Sequence, residues 1–458
     1  MSEHPENFEP ADTVLDPRRI TKILAAVADR DAGLLNDNLE GLHPADIADF
    51  LEQVSDGDRD AFLELWSGED AGEVLSELDE GLREEVIGQL DPAALSEGVR
   101  DLETDDVVDL VEDLEDHQKE AILDALEDSD RFAVEQSLAF PEDSAGRLMQ
   151  RNAVTAPEDW TVGQMIDHLR DSTDLPEQFY HVTLLDPRMC PVGNVTLGRL
   201  LSSSRATLLK DITEEVFIPI PVTETGEDVA YAFNQYHLIS APVVDEAGRI
   251  VGVITIDDAM IVLDEENEED LLLLAGVSGE TSLSDTVAET VRARLPWLAV
   301  NLLTAIIASL VISQFEDALT QVVALAVLMP IVASMGGNAG TQSLTVAVRA
   351  LATRDLTGSN VTRVIRREAL AGLANGVFFA VVMGLIGGLW FSSLTIGLVL
   401  GVAMIINLLV AGLSGILIPI ALEKLDFDPA LASGTFVTTV TDVVGFFAFL
   451  GLASYVLL

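Results

Sequence analysis

The distribution of apolar residues divides the chain into two parts. After residue 295, five long and mainly apolar stretches follow one another, at roughly 296–315, 319–350, 370–391, 394–422 and 430–457. About 20 such residues are needed to cross a hydrocarbon core of about 30 Å. A soluble fold would have to bury each of these helices on every side. The pattern therefore predicts an all-α transmembrane domain at 295–458 with five spans.

Residues 20–140 have a different pattern, in which short amphipathic helices alternate with Asp, Gly and Pro turns. Apolar residues recur with helical spacing around Ile47, Val74, Val86, Val107 and Ile122. Repeated short helices of this kind predict an α-helical superhelix with an acidic outer face. The polar, acidic residues 1–19 before it are expected to form a disordered tail.

Residues 141–263 change to short runs rich in β-formers, and these occur in two copies. The later copy consists of Ile218–Val222, a helix pattern from Glu227 to Tyr236, Ala241–Val244, Ile250–Thr255 and a helix from Ile256. The earlier, less regular copy has Val154–Val162, His181–Asp186 and Gly193–Leu197. The order β-α-β-β-α resembles a CBS module, so we expect an α/β tandem CBS pair.

An acidic segment at 264–294 joins the CBS pair to the first span. It begins with the run Asp264–Asp270 and continues with the apolar residues Leu271–Leu274. The pattern predicts a connecting helix that opens at the acidic run. It is either a solvated linker or an element that moves when a cation draws its carboxylates toward another acidic domain.

The charge of the chain is as unevenly distributed as its apolar residues. Of 77 acidic and 25 basic residues, 11 and 8 lie from residue 271 onward, so residues 1–270 carry a net charge of −49. Such a surface repels nucleic acid and attracts cations. Two interpretations remain open for the acids: a surface adapted to a salt-rich, halophilic cytoplasm, which only four lysines support, and cation sensing.

Basic residues predict the orientation of the spans, because cytoplasmic loops are enriched in Lys and Arg. The bases near the spans are Arg292, Arg294, Arg349, Arg354, Arg363, Arg366, Arg367 and Lys424. They alternate consistently with the five spans, which predicts a cytoplasmic N-terminus and an extracellular C-terminus in the cell membrane. The polar N-terminus has no secretory signal pattern, and the single cysteine, Cys190, allows no intrachain disulfide.

Two polar features interrupt the apolar spans. The segment from Met335 to Gln342 in span two combines three glycines with Asn338 and Gln342. Glycines allow close helix packing, but a broken or tightly packed pore helix would use the same residues to face hydrated ions. In span five, Asp442 is the only charge between residues 429 and 458.

Asp442 points to a cation path. An Asp at the centre of a span costs roughly 2.5–3.5 kcal/mol on insertion scales. Its presence therefore indicates either a function or a compensating partner. Thr435, Thr438 and Thr439 precede it with helical spacing and form one polar stripe. The alternative, an ion pair with a base in another span, lacks a candidate because no span centre contains Lys or Arg. A carboxylate in a water-wide pore suits Mg²⁺, which keeps several waters, although Ca²⁺ and Mn²⁺ fit the same chemistry. One Asp per chain also favours a symmetric homodimer.

The order of these parts resembles the MgtE family of magnesium channels and transporters over about residues 20–457. Specific matches are Pro330 with the Met335–Gln342 segment, Arg367-Glu368 followed by Gly372, and Thr438–Asp442. The resemblance implies a homodimer in the lipid bilayer, with its pore on the dimer axis and with Asp442 as the main Mg²⁺ ligand. The implied pore set is Asp442, Thr438, Thr441, Asn338 and Gly337. The implied regulatory Mg²⁺ set is Asp257, Asp258, Glu265, Glu268, Glu269, Asp270 and Asp428.

In the family, cytosolic Mg²⁺ bridges carboxylates of the helical domain, the CBS pair and the connecting helix, and this closes the pore. The chain departs from the family at Ile261, where a second Asp is common, and in its short first CBS copy. CBS pairs also bind adenine nucleotides such as ATP, and Thr255 with Asp258 has the ribose-binding spacing in the second copy only.

Several alternatives remain open at this stage. Within transport they are a broader divalent-cation transporter for Mn²⁺, Co²⁺ or Ni²⁺ and a carrier coupled to protons or Na⁺. A membrane-anchored nucleotide sensor would use the spans only as an anchor. An enzyme is not expected, because no nucleophile–base set, phosphate loop or metal-hydrolase spacing is found.

Overall fold

The structure is a computed structural model that describes residues 15–458, except 69, 91, 113, 115, 173–174, 177, 278–286, 426 and 432. Its contacts divide the chain into two compact units, Met1–Asp264 and Glu265–Leu458. Most of the predicted tail and part of the predicted connecting segment lie outside the described residues.

The first part of the N-terminal unit is a series of short helices packed around one apolar core, as the amphipathic pattern predicts. Asp16 caps the first helix through the backbone N–H groups of Arg18 and Arg19, and that helix begins at Pro17, inside the predicted tail. Phe50, Phe62 and Trp66 stack in sequence in the core, with ring centroids 5.2 and 5.7 Å apart. The helices are α1 (Pro17–Asp29), α2 (Ala32–Leu39), α3 (Pro44–Gln53), α4 (Asp56–Leu63), α5 (Ala71–Ser76), α6 (Glu80–Gln89), α7 (Pro92–Asp101), α8 (Thr104–Glu112), α9 (Asp116–Ala125) and α10 (Asp128–Ser137).

Two three-stranded sheets of identical order follow, which confirms the tandem CBS pair. In each sheet the first strand pairs in parallel with the second, and the second pairs in antiparallel fashion with the third. The first copy is β1 (Thr155–Pro157), α11 (Val162–Asp171), β2 (His181–Leu185), β3 (Pro191–Thr196) and α12 (Leu197–Ser202). The second is β4 (Ile220–Pro221), α13 (Gly226–Tyr236), β5 (Ser240–Val244), β6 (Ile250–Thr255) and α14 (Ile256–Ala275).

Helix α14 changes the prediction for the acidic segment. The run Asp264–Asp270 does not open a new helix, because it lies within the single helix Ile256–Ala275 that starts at the end of β6. No Pro or Gly separates the two parts, so the CBS helix continues directly into the acidic run. Leu273, near the end of α14, already belongs to the C-terminal unit and is buried there with Leu344, Val348 and Val437.

The C-terminal unit contains, within the described residues, five helices that are long and apolar enough to cross a membrane. They overlap the five predicted spans, although the first and third helices begin about nine residues earlier than predicted, at Val287 and Val361. The short helix α16 (Glu316–Gln321) precedes the second of them, which therefore starts later than predicted. The long helices are α15 (Val287–Ser313), α17 (Ala324–Ala352), α18 (Val361–Trp390), α19 (Leu394–Glu423) and α20 (Ser433–Leu457).

Helix α19 lies at the centre of this unit and has the largest share of buried residues among the five. Glycines let its neighbours approach its backbone: a Cβ on Gly372 of α18 would lie 2.7 Å from the carbonyl oxygen of Leu408. A Cβ on Gly415 would lie 2.6 Å from the carbonyl oxygen of Gly340 in α17. Such contacts need small residues on membrane helices, and they fix the position of α17 against the core.

Candidate functional site

Helices α17 and α20 pack side by side in opposite directions. Gly340 of α17 faces Val437 and Thr441 of α20, whereas Gly336 and Gly445 both face the side chain of Asn407 on α19. Asp442 thus lies at the depth bounded by Gly336 and Gly340, and Asn338 lies midway between those two glycines. The fold brings Asn338 and Asp442, predicted independently on two spans, to one level near the middle of both helices.

The outward face of α17 at this level is polar. Asn338, Thr341, Gln342 and Thr345 line a groove with Met335, and a Cβ on Gly337 would meet no heavy atom within 4 Å. On α20, Thr438 is exposed and Asp442 is partly exposed. Among the residues that the structure describes, no basic side chain pairs with Asp442. The alternative of a neutralising ion pair therefore finds no support in the described chain.

Thr441 is the exception among the predicted pore residues. Its side chain is fully buried, its methyl group faces Gly340, and its hydroxyl donates to the carbonyl oxygen of Thr438 at 2.9 Å. One residue of helix rotates the side chain by about 100°, which turns Thr441 into the helix interface while Asp442 faces outward. We correct the predicted set accordingly and leave Thr441 out of it.

Asn407 is a site residue that the sequence reasoning missed. It is completely buried, and its Nδ2 donates to the carbonyl oxygen of Val332 at 2.8 Å. Its Oδ1 accepts no hydrogen bond from a described residue. A lone Asn among the apolar residues of span four could have been noticed, since polar groups in spans are costly and often join helices. Asn407 therefore bonds to α17 and packs against Gly445 of α20 near the level of Asp442.

A second group of carboxylates lies within the N-terminal unit, between α8 and the start of α14. Asp105 is 8% exposed, and neither of its carboxyl oxygens accepts a hydrogen bond from a described N–H or O–H group. Burial raises the pKa of Asp105 well above its usual range, and the Asp258 charge adds to the shift. Burial also raises the pKa of Asp106 to about 6 and that of Asp258 to about 6. Uncompensated buried charges of this kind favour a bound cation.

The three carboxylates do not form a complete metal cage. Within the described residues, no group of three or more His, Cys, Asp or Glu side chains could hold a metal ion. The geometry suits a cation that keeps most of its waters and uses one or two carboxylates, which is the habit of Mg²⁺. Asp105 and Asp106 were not predicted, because single acids in an acidic helix do not stand out from their neighbours.

Asp258 also bears on the predicted nucleotide site. Its Oδ2 accepts hydrogen bonds from Thr255 Oγ1 at 2.6 Å and from the Thr255 backbone N–H at 3.2 Å, so it caps α14. The same carboxylate faces Asp105 and Asp106. Thr255 and Asp258 are thus bonded to each other, and Asp258 lies beside α8; nucleotide binding by this pair stays a prediction.

The remaining predicted regulatory residues lie on two elements. On α14, Asp257, Glu265, Glu268 and Glu269 are exposed and Asp270 is half-buried. Asp428 is exposed in the segment before α20, where it accepts a hydrogen bond from the backbone N–H of Ala430 at 2.7 Å. Their role as cation ligands stays a prediction.

Comparison with known proteins places this geometry in a family. Residues 329–452 match the family model of MgtE divalent cation transporters, residues 42–143 match the MgtE intracellular N domain, and residues 209–265 match the CBS domain. A magnesium transporter MgtE of Enterococcus faecalis is 35% identical over 321 residues, which cover 70% of this chain and 71% of the relative. This chain belongs to the MgtE family. The MgtE of Bacillus subtilis is 33% identical over 323 residues, with 70% and 71% covered.

Membership of the MgtE family confirms the family resemblance and the multidomain architecture. It also makes the chain a multi-pass membrane protein of a transporter family rather than a member of an enzyme family. Among solved structures, the cytosolic domain of the Mg²⁺ channel MgtE in complex with ATP is 28% identical, with a TM-score of 0.49, and covers 53% of this chain and 99% of that one. The three family-model matches contain the groups described above: Asn338 and Asp442 lie in the MgtE transporter match, Asp105 in the MgtE N-domain match and Asp258 in the CBS match.

Proposed function

We propose that this protein carries Mg²⁺ into the cell through a path along the polar faces of α17 and α20. The observation that carries the proposal is the position of Asp442, a carboxylate without a basic partner in the described chain, at the level of Asn338. Gly337 and Thr438 flank this level on the open face. A hydrated Mg²⁺ that keeps its waters can be held by one or two carboxylates, and the MgtE relatives are named as magnesium transporters.

The path is completed by a second copy of the chain. Each copy supplies one Asp442, and two-fold symmetry would place both carboxylates on one axis, around a shared water-filled passage. The open face of α17 and α20 would then line that passage instead of facing lipid, where its polar side chains would be costly. The basic residues near the spans support a cytoplasmic N-terminus.

Mg²⁺ in the cytosol also regulates the path in this proposal. At low Mg²⁺, the negative charge held by the Asp105, Asp106 and Asp258 cluster opposes the packing of α8 against α14, and the acidic residues of α14 repel other acidic surfaces. Bound Mg²⁺ neutralises these charges and favours a compact, closed state. Because Leu273 of α14 packs against α17 and α20, a shift of α14 can reach the transmembrane helices. Linkage requires only that Mg²⁺ binds the closed state more tightly.

Replacement of Asp442 by Asn tests the transport proposal. In cells that lack their own Mg²⁺ uptake, the wild-type chain should restore growth at low Mg²⁺, and the Asp442→Asn variant should not. The matched control is Asp317→Asn, which removes the same charge from the exposed helix α16. Full rescue by Asp442→Asn, at equal amounts of protein in the membrane, would falsify the proposed path.

A broader divalent-cation transporter is the second candidate, because the matched family model describes divalent cation transporters. Uptake of Mg²⁺ in proteoliposomes, measured with Mn²⁺, Co²⁺ or Ni²⁺ as competitors, separates the two. Imposed proton and Na⁺ gradients in the same vesicles test for coupled transport. ATP binding to Thr255 and Asp258 would enter as competition with the closure of α8 onto α14.

A further inference from the structure

A polar cavity lies apart from the Asp442 face, between α17 and α18, with α19 as its floor. Its volume is about 220 Å³. Four of its lining side chains carry oxygen atoms that can bind a cation: Gln342, Ser343, Glu368 and Asn375. The floor is formed by Leu408 and Gly412, so the polar groups sit on the walls.

Glu368 is the charged group of this cavity. Its side chain is only 15% exposed, although it lies in the second turn of a helix predicted to cross the membrane. Ser343 Oγ donates to Glu368 Oε2 at 3.1 Å. Arg367 lies 3.4 Å from Oε1, but the Arg367 side chain is 66% exposed, so it screens the carboxylate weakly. A carboxylate has about four acceptor positions, and these two contacts leave acceptor capacity on the cavity side.

The volume of the cavity fits a hydrated ion. A water molecule takes up about 30 Å³ in the liquid, so about six waters fill roughly 180 Å³. That number is the full inner hydration shell of an octahedral Mg²⁺. The cavity can therefore admit the ion with its waters, which would be held by Glu368 and by the amide and hydroxyl oxygens around it.

The cavity and the polar groove of the candidate path share one lining residue. Gln342 lines both this cavity and the polar groove of Asn338, Thr341 and Thr345. The α17 residues of the cavity, from Ala339 to Val346, extend from the level of Asp442 toward the arginine-rich end of the helix. That end is cytoplasmic in the orientation given above.

We propose that Glu368, Gln342, Ser343 and Asn375 form a second site for a hydrated divalent cation, on the cytoplasmic side of the Asp442 level. The proposal depends on the proposed transport of Mg²⁺ only for the choice of ion. The site would hold the cation beside α17 after the cation has passed Asp442. Gln342 would contact the ion both in the polar groove and in the cavity.

Protection of an introduced cysteine measures this site directly. Cys190 is the only native cysteine, so Cys190→Ala gives a background in which Ala371→Cys, at the rim of the cavity, is the single thiol. In the full-length protein in detergent, a water-soluble methanethiosulfonate should modify this thiol. Mg²⁺ at constant ionic strength should slow the reaction about tenfold when its free concentration is about ten times the dissociation constant.

The variants assign the protection to the cavity. Glu368→Gln should abolish the protection by Mg²⁺. Asn375→Val, at an exposed position, should weaken the protection and provides a second test if Glu368→Gln folds poorly. Glu316→Gln, which removes an exposed carboxylate from α16, and Asp442→Asn should both keep it. A thiol that does not react, protection that survives Glu368→Gln, or protection lost in Asp442→Asn would overturn the proposal. Mg²⁺ uptake without protection at residue 371 would reject the second site and leave the proposed function standing.

Discussion

The buried carboxylates beside α14 give a prediction with a definite sign. Asp105 is the most buried of the three and has no donor for its oxygens among the described residues. Asp105→Asn removes one charge from the cluster and offers an amide N–H₂ group to the neighbouring Asp258 carboxylate. We therefore expect the variant to stabilise the packing of α8 at neutral pH when no divalent cation is present.

The size of the expected change in stability follows from the pKa values. Burial raises the pKa of Asp106 from its usual value of 3.8 to about 6. One pKa unit corresponds to about 1.4 kcal/mol, so ionisation of Asp106 costs about 3 kcal/mol of stability. Because the folded pKa is raised, the folded state binds more protons between about pH 4 and 6, and stability falls as pH rises through that window. Asp258 has the same direction and a similar size. Asp106→Asn, which removes this ionisation, should recover about 2–3 kcal/mol at pH 7.5 and little at pH 4. Asp105→Asn should change stability in the same direction, because burial and the Asp258 charge oppose the ionisation of Asp105 as well.

Hydrogen exchange of the α8 backbone in the full-length protein measures the effect. In chelator at pH 7.5, α8 of Asp106→Asn should exchange about 30–150 times more slowly than wild type, as 2–3 kcal/mol implies. In Asp105→Asn, α8 should also exchange more slowly than in wild type. Mg²⁺ should slow exchange in wild type much more than in either variant. Asp37→Asn, an exposed position on α2, is the control and should behave as wild type. Faster exchange in Asp105→Asn without divalent cations, or equal Mg²⁺ protection in wild type and both variants, would refute the reasoning.

Two matched pairs test the membrane unit. Gly336→Ala should lower the yield and thermal stability of the detergent-solubilised protein, because its Cβ would collide with Asn407. Gly337→Ala should fold normally, since its Cβ meets no atom within 4 Å. Equal stability of the two variants would contradict the packing described. Thr438→Val should reduce Mg²⁺ uptake and Thr441→Val should retain it. Both hydroxyls donate to a backbone carbonyl oxygen, but only Thr438 is exposed near Asp442, whereas Thr441 is buried. Mg²⁺ uptake into proteoliposomes measures both variants. A larger loss of uptake in Thr441→Val than in Thr438→Val would show that Thr441 contributes to the path.

The sequence predicts those parts of the fold that a strong physical requirement imposes. Five spans can be recognised because a bilayer demands length and apolarity together, and the CBS copies because two sheets repeat one order. The acidic segment is different. Helix α14 passes through Asp264–Asp270 without a break, and an unbroken helix gives no local pattern at a domain boundary.

Tertiary partners decide the sites that the sequence did not predict. Asp105 differs from 76 other acidic residues only because α14 brings Asp258 against it, and no property of the α8 sequence contains that contact. Glu368 and Asn407 are different, since each is a polar residue in an apolar helix and could have been recognised by the reasoning applied to Asp442. The positions of Glu368 and Asn407 beside α17 could not have been predicted from the sequence, because they depend on how three helices pack.

The Met335–Gln342 segment shows why the two interpretations of its glycines could not be separated by sequence. Successive residues of an α-helix turn by about 100°, so Gly336 and Gly340 share one face while Gly337 and Asn338 lie on others. The inward pair packs against Asn407 and Val437, whereas Asn338 lines the polar groove and a Cβ on Gly337 would meet no atom within 4 Å. Close packing and a polar path are therefore properties of opposite sides of one helix. Since the small inward residues fix where α17 lies, they also set the depth at which Asn338 meets the level of Asp442.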